Sequence, residues 1–191
     1  MIRVLLLGPQ GSGKGTQAKR IADAYGVPHI ATGEILRSAI AEGTELGRRV
    51  QPILDRGDLV PDDLMVDLIR ERLREEDGFV LDGFPRTVRQ AEALDSMLAD
   101  IGKPIDIVLL LQVRDDIASE RLLHRAAEEG RNDDAPEVIR NRLRLYHEET
   151  EPVVERYRAE GTVVPIPGER SVGEVAADID AALAQLGVRS P

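Results

Sequence analysis

Gly8-Pro9-Gln10-Gly11-Ser12-Gly13-Lys14-Gly15-Thr16 brings together the residue types needed to hold a polyphosphate. Glycines let the backbone curl until several N–H groups face one anion. Lys14 adds a mobile positive charge for the β- and γ-phosphates. The spacing fits G-x-x-x-x-G-K, with Gly15 where the general pattern has Ser or Thr and with Thr16 one place later. A second set follows at Asp82-Gly83-Phe84-Pro85-Arg86. An acid that ends a hydrophobic strand beside a phosphate loop commonly holds Mg²⁺, directly or through water. The plainer alternative for Asp82 is a carboxylate capping the next turn. The glycine, the aromatic ring and the rigid proline before Arg86 describe a fixed loop that presents a guanidinium. So close to a phosphate site, Arg86 is read as a phosphate ligand.

Two further groups have competing readings. Thr32-Gly33-Glu34-Ile35-Leu36-Arg37 opens a helix after a strand. Thr32 suits an N-cap and Arg37 a helix-surface charge, or the two together clamp a second nucleotide. Arg121 and Arg125 share a helix face at i, i+4 spacing. Arg131 lies in a polar stretch, and Arg142 begins the next helical pattern. On composition alone these arginines read as an ion-paired surface with Glu120, Glu128 and Glu129.

The elements that must position these residues alternate along the chain. Strand-like apolar runs fall at Ile2–Leu7, Pro28–Ile30, Phe79–Asp82, Ile105–Gln112 and Val163–Ile166. Helical patterns fall between them: Thr16–Tyr25, Gly33–Glu42, Glu45–Arg56, Asp62–Glu75, Val88–Asp100 and Asp115–Ala127. Glu128–Ala135 is a polar break. Pro136–Glu160 is a long helix or two, with Pro152 a point of kinking. Ser171-x-x-Glu174 is a capping-box signature opening a final helix to Leu186. Strands separated by helices predict βαβ units and a parallel sheet covered on both faces. Ligands of such sheets sit at the carboxyl ends of the strands. Both the glycine-rich loop and Asp82–Arg86 lie at such ends.

Composition sets bounds on the rest. The chain has 191 residues, 42% of them hydrophobic and 3% aromatic, so its core is aliphatic. A formal charge of −10 argues against non-specific binding to nucleic acid or anionic membrane. Positive charge for a polyphosphate must be gathered locally. Lys14, Lys19 and Lys103 are the only lysines, and arginine, the better planar fork for phosphate, supplies the remaining basic charge. With no cysteine, disulfides and thiolate zinc sites are excluded. Ile2–Leu7 is too short for a signal core or a membrane span, so a cytoplasmic protein is expected.

Taken together, Gly8–Thr16, Thr32-Gly33-x-x-Leu36-Arg37, Leu81-Asp82-Gly83-Phe84-Pro85-Arg86-Thr87 and the Arg125…Arg131…Arg142 series resemble the adenylate kinases over essentially the whole chain. The resemblance implies an α/β P-loop three-layer fold with a central five-stranded parallel sheet in a single domain, residues 1–191. It implies two mobile parts, an AMP-binding segment at 31–60 and a lid at 126–136. The lid is of the short kind, which carries no zinc. By position, Gly11, Ser12, Gly13, Lys14, Gly15 and Thr16 match residues that wrap the ATP phosphates. Arg121 and Gly168 match contacts to the ATP base, and Arg125 a phosphate ligand. Thr32, Arg37, Asp58, Leu59, Val60, Gly83, Phe84, Pro85, Arg86 and Gln90 match the AMP site. Arg131 and Arg142 match residues that bridge towards AMP. Many relatives carry Lys where Asp58 stands, so only its backbone is carried over. The Gln90 amide matches the reader of the adenine edge.

The implied reaction is Mg·ATP + AMP ⇌ Mg·ADP + ADP, with Mg²⁺ as the only cofactor. Lys14, Arg86, Arg125, Arg131 and Arg142 are the implied catalytic charges, and Thr16 and Asp82 the implied metal contacts. ATP, AMP and ADP are the implied partners, and a monomer the implied state. No general base is needed, because the attacking phosphate is already ionised. Two rivals stand beside this reading. One is a UMP/CMP kinase of the same fold; the other is a P-loop switch that hydrolyses nucleotide and lacks a second nucleotide site.

Overall fold

The computed structural model describes residues 1–129 and 135–187. Its centre is a five-stranded sheet in the order β2-β3-β1-β4-β5. The strands are β1 (Arg3–Leu7), β2 (His29–Ala31), β3 (Phe79–Asp82), β4 (Ile107–Gln112) and β5 (Val163–Pro167). Every pairing is parallel: Leu6 lies opposite Asp82 and Leu109, and Ala31 lies opposite Asp82. The helices are α1 (Lys14–Tyr25), α2 (Thr32–Ala41), α3 (Glu45–Asp55), α4 (Asp62–Leu73), α5 (Val88–Asp100), α6 (Asp115–Glu129), α7 (Pro136–Leu145), α8 (Glu151–Ala159) and α9 (Val172–Gln185).

Side chains alternate across the sheet and so build two cores. Leu5, Leu81, Val108 and Leu110 face Ile69 of α4, Leu94 and Leu98 of α5 and Tyr157 of α8. Val4, Leu6, Val80, Leu109 and Leu111 face Ile21 of α1 and Ile179 and Leu183 of α9. Each fully buried Leu or Ile contributes about 1.5–3 kcal/mol. A third cluster of Ala118, Leu122, Ile139 and Leu143 joins α6 to α7. Thr87 caps α5 and the Ser171/Glu174 box caps α9, the latter as its signature predicts. No helix among the described residues is long and apolar enough to cross a membrane.

Several boundaries differ from the sequence expectation, each for a physical reason. Helix α1 begins at Lys14 rather than Thr16, so the first helical turn is part of the glycine loop itself. Helix α2 begins at Thr32 with Ala31 at the cap position, so Thr32 is not the N-cap. Its hydroxyl instead donates to the Asp82 carbonyl at 3.3 Å, tying the start of α2 to the end of β3. The long segment from Pro136 divides at a π-helical turn, Tyr146–Thr150, ahead of Pro152. Pro152 has no N–H to give and its ring crowds the preceding turn. The wide turn relieves both, and Glu151 N–H reaches back to Tyr146 O.

Candidate active site

The carboxyl ends of β2 and β3 and the loop after β1 open onto a cavity of about 930 Å³, at the upper end of the size range of small-molecule sites. Gly11 to Thr16 form one wall. The loop must press close to α6, because a Cβ on Gly11 would lie 2.5 Å from the Ala118 carbonyl, and Gly11 has φ +81. Lys14 folds back over the loop and donates to Gly8 O at 2.7 Å and Pro9 O at 2.8 Å. Burial, with help from Arg86 and Arg125 and against Asp82, pushes its pKa down to about 8.

Asp82 closes β3 on the same cavity. Its Oδ2 lies 3.7 Å from His29 Nε2 and would lie 3.7 Å from a Cβ on Gly15. Burial alone would raise its pKa; His29, Lys14 and Arg86 outweigh burial and hold it below the usual carboxylate range. The Asp82 carboxylate and the Thr16 hydroxyl are thus two hard oxygen donors on one cavity, a donor set that fits Mg²⁺. Among the described residues no group of three or more His, Asp or Glu side chains is placed to hold an ion. A cation here would complete its shell with ligand oxygens and water.

A smaller cleft of about 50 Å³ adjoins the first, lined by Thr32, Asp58, Leu59, Val60 and Gln90 with the apolar Leu36, Leu54 and Met65. Gly33, Arg37, Gly83, Arg86 and Arg142 line both spaces, so three arginines stand at the seam between them. Arg86 is anchored there by Nε donating to Gly83 O at 2.9 Å and by its carbonyl accepting from the Thr150 hydroxyl at 2.9 Å. Burial and then Arg142, opposed by Asp82 and reinforced by Arg37, push its pKa down to about 10. It remains charged at neutrality, surrounded by like charges that an anion at the seam would relieve. Gly83 has φ +84, and a Cβ there would meet Thr32 Oγ1 at 2.5 Å, so only glycine lets the loop pass that close to α2.

Arg121 and Arg125 of α6 and Arg142 of α7 lie on the large cavity rather than on an outer surface. Arg121 donates to Gly168 O at 2.8 Å, joining residues far apart in the sequence on one wall of the large cavity. Arg125 lines the same cavity, and Arg142 is buried. Arg131, and with it residues 130–134 of the segment expected as a lid, lies outside the described residues. Phe84 and Pro85 do not line the smaller cleft. Phe84 is fully buried in the core, and both border a small recess behind Lys14 and Arg86. The Asp58 carboxylate is engaged by Arg56 Nε at 2.8 Å and Asn141 Nδ2 at 2.9 Å, and these bonds hold its pKa down.

Sequence reasoning missed Val172 and Val175, which line the large cavity beside Gly168. The signal was present: the Ser171 capping box starts a helix immediately beyond a strand's carboxyl end, where ligands of parallel sheets sit. It also missed Leu36, Leu54 and Met65, whose helical periodicity reads equally well as core.

A family profile described as adenylate kinase matches residues 6–162. Several curated proteins, each called adenylate kinase, are similar over nearly their whole length. One from Stenotrophomonas maltophilia is 46% identical over 185 residues, covering 95% of this chain and 99% of that relative. One from a Cyanothece species is 47% identical and covers 97% of each chain. One from Clavibacter michiganensis is 48% identical, covering 99% of this chain and 96% of its own.

Proposed function

The chain belongs to the adenylate kinase family, and we propose how its residues divide the work of the phosphoryl exchange that interconverts ATP, AMP and ADP. The observation that carries the proposal is the shared wall. A polyphosphate-sized cavity and a second cleft meet at Arg37, Arg86 and Arg142, so a donor and an acceptor phosphate would face each other across fixed positive charge.

ATP occupies the large cavity. Gly11–Thr16 and Lys14 hold its phosphates, Arg125 adds charge, and Arg121, Gly168, Val172 and Val175 receive its base. AMP occupies the smaller cleft, with its phosphate on Arg37, Arg86 and Arg142 and its base against Gln90, Thr32, Leu59 and Val60. Asp58 serves through its backbone, since its carboxylate is spent on Arg56 and Asn141. Phe84 and Pro85 shape the loop that carries Arg86. A cleft of about 50 Å³ is well below the roughly 300 Å³ at which small-molecule sites begin. The AMP-binding segment, residues 31–60, therefore opens to admit AMP, turning about Ala31 and Thr32, which are tied to Asp82.

An AMP phosphate oxygen attacks the γ-phosphorus in line, and the transferring group is loose and anionic. No base is required, because the nucleophile carries its own charge. What the chain supplies is position and preorganised charge from Lys14, Arg86, Arg125 and Arg142. Thr16 and Asp82 would hold the Mg²⁺ that travels with ATP, which when bound neutralises phosphate charge. The product serves adenine nucleotide balance, and the enzyme works as a monomer.

The test is a coupled assay with ATP and AMP, UMP or CMP, run on the native enzyme and on Lys14→Met. AMP is expected to be the strongly preferred acceptor. Lys14→Met should lower turnover by about 10²–10³, the range seen when one transition-state charge contact is removed. A preference for UMP, or near-normal transfer by Lys14→Met, would overturn the assignment.

A further inference from the structure

Gln90 is 2% exposed on the wall of the smaller cleft, and both ends of its side-chain amide are already engaged. Its Oε1 accepts from the Arg86 backbone N–H at 2.7 Å. Its Nε2 donates to Asp62 Oδ1 at 2.8 Å. The same carboxylate oxygen accepts from the Thr87 hydroxyl at 3.0 Å. Thr87 Oγ1 in turn accepts the Gln90 backbone N–H at 3.2 Å, which caps α5. Asp62 opens α4 and is not one of the residues lining the cleft.

These partners fix which way the amide faces. A backbone N–H only donates and a carboxylate only accepts. Turning the amide over would set Nε2 against the Arg86 N–H and Oε1 against the Asp62 carboxylate. Two hydrogen bonds would become two repulsive contacts. Held as it is, the amide keeps one N–H on Nε2 and one lone pair on Oε1 uncommitted by these bonds.

We propose that Asp62 is a positioning residue that locks the Gln90 amide in the orientation that pairs with a 6-aminopurine and refuses a 6-oxopurine. The proposal rests on the assignment of Gln90 to the AMP base. A 6-aminopurine offers a donor at its exocyclic nitrogen and an acceptor at N1, which the spare lone pair and the spare N–H match. A 6-oxopurine offers the reverse, an acceptor at O6 and a donor at N1, and needs the amide turned over. A glutamine free to turn would serve both. The clamp removes that freedom, so discrimination belongs to Asp62 as well as to Gln90.

The experiment measures kcat/KM for AMP and for IMP, which differ only at these two purine positions, in the native enzyme, Asp62→Asn, Asp62→Leu and Gln90→Met. In Asp62→Leu the AMP-over-IMP ratio should fall by at least about tenfold, the lower end of what a hydrogen bond to a charged group is worth, and in Asp62→Asn, which keeps an Oδ1 acceptor but loses the charge, it should fall by less. The KM for ATP should stay within about twofold, because Asp62 lies outside the donor cavity. The ratio is taken within one preparation, so it does not move with the folded fraction. The second substitution keeps the test open if the first fails to fold. An unchanged ratio in the Asp62 variants, with a collapsed ratio in Gln90→Met, would overturn the role of Asp62 and leave the base assignment standing. An unchanged ratio in Gln90→Met would overturn both.

Discussion

ATP binding near pH 8.5 should draw a proton into the enzyme, and Lys14 is where it lands. The ammonium is folded onto Gly8 O and Pro9 O, and its pKa falls from 10.5 to about 8. The largest cause is burial; Arg86 and Arg125 add to it and Asp82 opposes it. At 1.36 kcal/mol per unit, the charged form is disfavoured by about 3 kcal/mol before nucleotide arrives. The sign follows from linkage. Between about pH 8 and 10.5 the unfolded chain holds a proton that the folded chain has lost, so this group's contribution to stability rises with pH across that window. Below about pH 8 both states are charged and the full penalty is present. Polyphosphate reverses the balance by placing several negative charges beside Nζ, which lifts its pKa above the working pH. Near pH 8.5 about a quarter of Lys14 is charged in the empty site and nearly all of it in the complex, so about 0.7 proton enters per ATP bound. Near pH 7 the uptake at Lys14 should be about 0.1 or less. Titration calorimetry in two buffers of different ionisation enthalpy reads the number directly. Lys14→Met should abolish the uptake near pH 8.5. No uptake in the native enzyme, or uptake that survives in Lys14→Met, would rule out Lys14 as the group that takes up the proton.

Three further outcomes follow from particular contacts. Gly83→Ala places a Cβ 2.5 Å from Thr32 Oγ1 at φ +84, so it should cost about 1–3 kcal/mol in denaturant unfolding. It should also raise the KM for AMP much more than the KM for ATP. Thr150→Val leaves the half-buried Arg86 carbonyl without its hydroxyl donor, so unfolding stability and turnover should both drop and Thr150→Ser should restore them. The Asp115 hydrogen bond first, and the Glu151 one with it, hold the His147 pKa above 6.5 against partial burial. Its contribution is complete below the unfolded value and lost as pH rises through the folded one, so the stability gap between native and His147→Gln should be wider at about pH 6 than at about pH 8.5.

The parallel sheet and the placing of the candidate site at its carboxyl ends were legible because both depend on patterns that survive in one dimension. Apolar runs separated by helical periodicity predict a parallel sheet, and Gly8–Thr16 and Asp82–Arg86 carry their chemistry in adjacent residues. The two-core arrangement follows from simple alternation, as at Val4 and Leu6 against Leu5 and Leu7. What the sequence hid depends on partners far away along the chain. Thr32 looks like a cap and is a tether to Asp82, because helix start and hydrogen-bond partner are set by the neighbouring strand. Arg121 looks like a surface charge until Gly168 arrives beside it. Asp62 looks like an ordinary acid in the first turn of a helix, where acids are favoured by the helix dipole. Only the fold brings it to Gln90 and Thr87.

In the proposed arrangement two nucleotides meet end to end across Arg37, Arg86 and Arg142. A single inhibitor in which one phosphate chain joins two adenosines tests it most directly, by calorimetric stoichiometry and by competition kinetics. One molecule should bind per chain and compete with both ATP and AMP. Two molecules per chain, or competition with ATP alone, would contradict it.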